Sequence, residues 1–380
     1  MNQDSPYYKY ILELLKNMLE REASDLFITV GAPPALKISG EMTPFNAKPI
    51  AREQAVELLR SIMNDKQWGE FERTNECNFA LSLDGIGRFR INCYVQRSAV
   101  GLVARRIVTD VPTMDGLGLP ESLKSLMMEK RGLVLMVGAT GSGKSTSLAA
   151  MLNHRNENSR GHIITIEDPI EFVHPHKKCL VMQREVGVDT ENWFAALKNT
   201  LRQAPDVILI GEIRDQATMD YAIAFAETGH LCLATLHANN SNQALDRIIN
   251  FFPSERREQL LMDLSLNIKG VVSQRLIPKK GGGRAAAIEI LLASPLVSDL
   301  IHKGAVHELK PIMAKSRDLG MCSFDQALFD LCAAGLVEPH VAMRYADSQN
   351  ELRIKLKDLA RQGGIKDLDE GESTLSIVHE

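Results

Sequence analysis

The chain has 380 residues, 44% of them hydrophobic and 24% charged, with a formal net charge of −4; this is the balance of an ordinary soluble protein long enough for two domains. No stretch approaches 18 uncharged apolar residues, and the opening MNQDSPYY lacks a basic end before an apolar core, so neither a transmembrane helix nor a secretory signal is expected. The charge is uneven: residues 364–380 hold five acids and one base, while the remainder balances 43 acids against 43 bases, which is not the basic footprint of a nucleic-acid binder.

Taken in chain order, Ser5 and Pro6 form a helix start, and Tyr7, Ile11, Leu14, Leu15, Met18 and Leu19 follow at helical spacing. DLFITV and ALKISG read as strands, broken by Gly31 and Pro33-Pro34. REQAVELLRSIM reads as a polar helix. In GRFRINCYV, Phe89, Ile91, Cys93 and Val95 face one way, while Arg88, Arg90, Asn92 and Tyr94 face the other. A second basic strand, GLVARRIV, carries Arg105 and Arg106. Alternation alone fits a solvated strand face as well as a charged site. The Pro, Gly and Asp of DVPTMDGLGLP (110–120) mark an interdomain linker, so residues 1–110 read as a small α/β domain.

Beyond it, RGLVLMVG, GHIITIED, DVILIGE and HLCLATLH read as strands. The stretches GSGKSTSLAAMLNHR, TENWFAALKNTLRQAP and DYAIAFAETG between them read as helices. This rhythm implies a mostly parallel sheet covered by helices. From Ser241 on, helical patterns dominate, through NQALDRIINFF, RREQLLMDLSLNIKGVV and FDQALFDLCAAG. GGGR at 281–284 is a turn before a short strand, AAAIEILL. The six cysteines are scattered with no CxxC pair and read as reduced cytosolic thiols.

The chemistry gathers after the first strand of the second part. GATGSGKS (138–145) fits GxxxxGK[ST] between an apolar strand and a helix start, the context a phosphate-binding loop requires. Backbone N–H groups of Gly138, Ala139, Thr140, Gly141, Ser142 and Gly143 would wrap the phosphates of ATP, with Thr146 closing the motif. The helix N-terminus adds a positive field. Lys144 would reach the β- and γ-phosphates, and the Ser145 hydroxyl would bind Mg²⁺.

In TIEDPIEFVH, Glu167, Asp168 and Glu171 crowd around Pro169, a repulsive arrangement without a cation among them. Strand ends in such sheets open onto the ligand. Mg²⁺ near Glu167 and Asp168, with an attacking water oriented by Glu171, would relieve it. Glu212 follows DVILIG one residue later than a strand-ending acid, so its Mg²⁺ contact is expected through water. His230 and His237 flank HLCLATL. Each reads either as a hydrogen-bonded core residue or, from a shared sheet end, as a γ-phosphate sensor.

Four boxes now stand in order: GATGSGKST, TIEDPIEF, DVILIGEIRD and AETGHLCLATLHAN. Over about residues 8–340 the chain resembles the type II/IV secretion-type P-loop ATPases. It is most similar to the type IV pilus retraction motors, PilT and PilU, and it has no four-cysteine zinc motif of the assembly ATPases. The resemblance implies a homohexameric ring with ATP bound between two domains. These would be a PAS-like α/β domain (1–110), a linker (111–120), a RecA-like P-loop ATPase domain with C-terminal helices (121–345), and a last helix with an acidic tail (346–380).

It also implies that Arg88, Arg90 and Arg105 close on the phosphates and that Glu171 activates water. Glu212 would be the second-strand glutamate, and His230 and His237 the histidine-box pair. PLVSDLIHKGAVHELK stands where PilT proteins carry a motif close to AIRNLIRE, and LRQAPD stands for LRxDPD. Both differences favour the PilU branch, which implies action beside a PilT-like ATPase on an inner-membrane pilus platform protein, from the cytoplasmic side. No nucleic-acid partner is expected. The tail at 364–380 reads as a solvating end or a partner-binding segment.

Overall fold

The alternation along GRFRINCYV organises the first sheet. The computed structural model describes residues 4–38, 40–83, 85–107 and 110–361; the acidic tail lies outside the described residues. They fall into two units. One holds the described residues up to Asp110 together with Pro169–Val173 and Glu185–Glu191; the other holds the rest from Val111 on.

The first unit is built on β1 (Asp25–Thr29), β2 (Ala35–Ile38), β3 (Glu41–Pro44), β4 (Glu76–Leu83), β5 (Gly87–Gln96) and β6 (Ala99–Ile107). They form an antiparallel sheet in the order β3-β2-β1-β6-β5-β4. The helix Pro6–Glu20 starts where Ser5 Oγ accepts from Tyr7 N at 3.2 Å. It buries Ile11, Leu14, Leu15 and Met18 with Leu58 and Leu59 of the helix Arg52–Ile62 in one core with Phe89, Ile91 and Cys93 of β5. Arg88 and Arg90 therefore lie on the opposite face of that strand. A further helix, Asp65–Thr74, capped by Asn64, was not apparent in the sequence.

The second unit holds β7 (Gly132–Val137), β8 (Gly161–Glu167), most of β9 (Cys179–Glu185), β10 (Val207–Ile210), β11 (Leu231–Leu236), β12 (Ile268–Pro278) and β13 (Arg284–Leu292). Their order is β13-β12-β7-β11-β10-β8-β9. The strands β12, β7, β11, β10 and β8 run parallel, and β13 runs antiparallel to β12. Every residue of β7, β10 and β11 is buried, as strands covered on both faces must be. Met114 and Leu119, within the stretch read as a linker, are buried in this unit's core. The helices Phe324–Ala333, Pro339–Tyr345 and Gln349–Arg361 make a smaller core with Ile277 and Ala287.

One expectation fails here. LNIKGVV was read as the end of a helix, but the helix Arg257–Asn267 stops and β12 begins at Ile268. The run of leucines before Asn267 continues helical spacing, so the periodicity hides the change. What decides it is long-range: Val271 and Val272 pair with Leu135 and Met136 of β7 and with Leu291 and Ile290 of β13. Among the described residues no helix is long and apolar enough to cross a membrane.

Candidate active site

The phosphate loop leaves β7 at its carboxyl end and enters the helix Lys144–Asn158 directly. Gly141 and Gly143 have φ of +75° and +84°, values that glycine adopts without strain. At Gly138 a Cβ would stand 2.4 Å from Ser142 Oγ and 2.7 Å from the Gln274 carbonyl oxygen. At Gly143 it would stand 2.8 Å from Gln274 Nε2. The glycines are thus required by close approach as well as by backbone shape. Lys144 is buried, and its Nζ donates to the carbonyls of Gly138 (2.6 Å) and Ala139 (2.9 Å). Ser145 and Thr146 lie half-buried in the first helical turn, whose leading N–H groups have no partner within the helix.

Buried Gln274 of β12 donates Nε2 to the Ser142 carbonyl at 2.9 Å. Ser142 Oγ and Gln274 Oε1 are buried with no hydrogen-bond partner. Orphaned polar atoms of this kind are where a ligand or water completes the bonding. With the lysine and the helix N-terminus, they fit a polyphosphate.

Parallel pairing brings three further boxes to the same end of the sheet. Ile210 pairs with Ile166 and with Ala234, so Glu167 ends its strand while Glu212 and His237 follow the ends of the neighbouring ones. Glu212 is 17% exposed at its side chain; Oε1 lies 3.2 Å from His237 Nε2 and Oε2 lies 2.7 Å from Arg214 Nε. Arg214 Nη1 is in turn 4.0 Å from Asp168 Oδ2. Thr235 Oγ1 donates to the Gly211 carbonyl, tying β11 to the residue before Glu212. Glu167 Oε1 accepts from Thr165 Oγ1 (2.6 Å) and from Gln183 Nε2 (3.2 Å). Among the described residues no group of three or more His, Cys, Asp or Glu side chains is poised to hold a metal. Ser145, Glu167, Asp168 and Glu212 offer only oxygen donors, the ligand type that Mg²⁺ takes.

His230 is the second correction. It was expected at the same sheet end as His237. His230 precedes β11, so it lies at the amino end, where its carbonyl accepts from Gly132 N at 3.0 Å. Gly132 opens β7, and the phosphate loop begins after β7 ends, roughly 20 Å away at a strand's rise per residue. His230 Nδ1 lies 3.1 Å from both the Phe225 carbonyl and Thr228 Oγ1, a local hydrogen-bonding role closing the helix Gln216–Glu227.

Within the first unit, Arg90 and Arg105 are direct cross-strand partners, and Asp25 is opposite Arg105. Arg105 Nε donates to the buried Asp25 carboxylate at 2.7 Å, which relieves the like-charge pairing. Arg88 is half-buried, and its Nε has no hydrogen-bond partner. Glu171 is exposed. Sequence reasoning missed Arg214, Gln183 and Gln274. Arg214 had a visible signal: two residues after Glu212 in an extended stretch, it falls on the same side. The other two depend on strand pairings that no local pattern announces.

A family model described as type II/IV secretion system protein matches residues 1–297. The type IV pilus ATPase PilU of Pseudomonas aeruginosa is 58% identical over 346 residues, covering 91% of each chain. PilT from the same organism, a type IV pilus retraction ATPase, is 43% identical over 327 residues, covering 86% of this chain and 95% of PilT. The crystal structure of the pilus retraction motor PilT with bound ADP superposes with a TM-score of 0.84 at 38% identity, covering 90% of this chain and 98% of that one. The α/β fold described above is shared with that motor.

Proposed function

The chain belongs to the type II/IV secretion system protein family, and from that premise we propose that it is an ATPase of the PilU branch that powers type IV pilus retraction and twitching motility. The observation that carries the reading is the gathering of the phosphate loop, Glu212, His237, Arg214 and Asp168 at one end of a parallel sheet. Similarity to PilU at 58% identity supports the branch.

ATP is the substrate. The phosphate-loop N–H groups and Lys144 bind and orient its phosphates. Ser145 with Glu212, Asp168 and Glu167 would hold Mg²⁺, which when bound neutralises developing phosphate charge. Glu171 orients the attacking water and takes up its proton. Arg88, Arg90 and Arg105 supply positive charge to the phosphates. His237, held by Glu212, senses the γ-phosphate. Residues 1–110 act as a PAS-like domain, 111–120 as a linker, 121–345 as the RecA-like motor, and 346–380 as a last helix and tail. The motor works as a homohexamer with a PilT-like ATPase and an inner-membrane pilus platform protein, from the cytoplasmic face, without nucleic acid.

The test is pilus retraction in a strain deleted for this gene, with a PilT-like ATPase present and absent, complemented by the native chain or by Lys144→Ala. Rescue by the native chain alone is the expected result. Equal rescue by both overturns the motor reading in favour of a scaffold. ATP turnover stimulated by single- or double-stranded DNA points to a translocase instead.

A further inference from the structure

Glu171 is exposed, yet it sits in a loop whose neighbouring residues are fixed. Pro169 has no backbone N–H and a restrained φ. Ile170 follows, 2% exposed, so its side chain is anchored in a core. Its backbone N–H is anchored too: it donates to Glu185 Oε2 at 3.3 Å. Glu185 ends β9, and its residue is 2% exposed. A carboxylate this buried needs partners.

The surroundings of Glu185 hold it in one place. Its N–H donates to Asp189 Oδ2 at 2.9 Å, and its carbonyl accepts from Asp189 N at 2.8 Å. Gly187 N donates to the Thr190 carbonyl at 2.7 Å, closing the turn. Burial raises the proton affinity of the Glu185 carboxyl; the Ile170 N–H and the charges of Arg90 and Arg88 oppose that. The segments Pro169–Val173 and Glu185–Glu191 belong to the same unit as β5, which carries those arginines. Arg88 Nε, buried without a hydrogen bond, belongs to the same electrostatic neighbourhood.

We infer that Glu185 is a positioning residue: it fixes the backbone one residue before Glu171, and so sets where the exposed carboxylate of Glu171 is presented. The inference rests on the reading of Glu171 as the residue that orients water. Glu185 itself touches no substrate. It ties the loop of the general base to one buried anchor.

The experiment measures steady-state ATP hydrolysis and calorimetric ADP binding by the full-length chain. Glu185→Ala, which removes the acceptor for Ile170 N–H, is expected to lower kcat about tenfold, a partial loss of the roughly hundredfold or more that general-base catalysis supplies. ADP affinity should stay within about twofold, because the acceptor does not contribute to ground-state nucleotide binding. Glu185→Gln keeps an acceptor oxygen and should restore kcat to within about threefold of the native rate. Adding Glu185→Ala to Glu171→Gln should lower the rate no further, since two residues acting through one group are not additive.

Equal losses in the Ala and Gln variants overturn the inference, as does a parallel fall in ADP affinity and kcat. A slow Glu171→Gln beside a normal Glu185→Ala removes Glu185 alone. Full activity in Glu171→Gln removes the general base and this inference together. Should Glu185→Ala not fold, Glu185→Asp, one methylene short of the Ile170 N–H, takes its place with the same expected split.

Discussion

The two ends of the second sheet use the same residue types for different purposes. At the amino end, Asp206 Oδ2 accepts His162 N at 2.7 Å, and the Asp206 carbonyl accepts Leu231 N at 3.2 Å. His162 Nδ1 lies 3.3 Å from the Ala204 carbonyl, and His230 is held by its own helix end. Each of these side chains bonds backbone close to it in the fold, although His162 Nε2 is buried without a partner. At the carboxyl end, Glu212, His237, Arg214 and Asp168 face one another. They do so beside a loop with orphaned polar atoms. A histidine or an aspartate at a strand end is therefore not a site by composition. The end that the strands point toward decides it, because helix N-termini and connecting loops collect there.

The sharpest way to break that contrast is Lys144→Ala, expected to cut ATP hydrolysis by about a hundredfold or more, the scale for losing a principal phosphate-charge stabiliser. A near-native rate in a coupled ATPase assay would place the chemistry elsewhere. Next comes a paired comparison of the two histidines. His237→Ala is expected to lower kcat about tenfold through loss of the group proposed to sense the γ-phosphate. His230→Ala is expected to leave kcat within about twofold and to lower Tm by about 2–4 °C, the effect of one lost hydrogen bond in a domain of this size. Equal kinetic losses in both would erase the difference between the ends. Arg214→Ala should have a smaller effect. Its guanidinium is 57% exposed, so loss of the pairing is worth about 0.2–1 kcal/mol, or up to about fivefold in kcat.

A last comparison, in stability and not in turnover, concerns a histidine at neither end. His174, just after the acidic box, is buried, and burial pushes its pKa from 6.5 down to about 4. The unfolded imidazole takes up a proton below about 6.5 that the folded one refuses. Its contribution is complete above that pH and is lost as the pH falls toward about 4, reaching on the order of 2 kcal/mol at pH 5. His174→Gln should flatten this part of the pH dependence in thermal unfolding at pH 7.5 and pH 5. An unchanged slope would show that the imidazole is protonated in the fold.

The parts legible in the sequence are those whose causes are local. Glycine spacing and an adjoining lysine mark the phosphate loop because both the turn and the helix start are made by eight consecutive residues. The alternation of β5 places Arg88 and Arg90 opposite Phe89 and Ile91 without any knowledge of the partners. The place of His230 follows from a local rule: in a parallel sheet, a residue before a strand lies at the amino end. The role of Gln274 follows from no such rule. It depends on β12 pairing with β7, well over a hundred residues earlier in the chain, and on leucines that continue a helical pattern up to the break. Glu185 likewise looks like an ordinary strand-end acid until Ile170 is seen against it.

The sequence by itself determined the class of chemistry and the sheet rhythm, because glycine φ freedom, strand alternation and the order of four boxes are properties of neighbouring residues. Only the tertiary structure decided which charged groups meet. Pairing register set Glu212 against His237, closed Gln274 over the phosphate loop, and brought Glu185 to the backbone before Glu171. Those contacts join segments far apart in the chain, and their geometry follows from packing that no local pattern encodes.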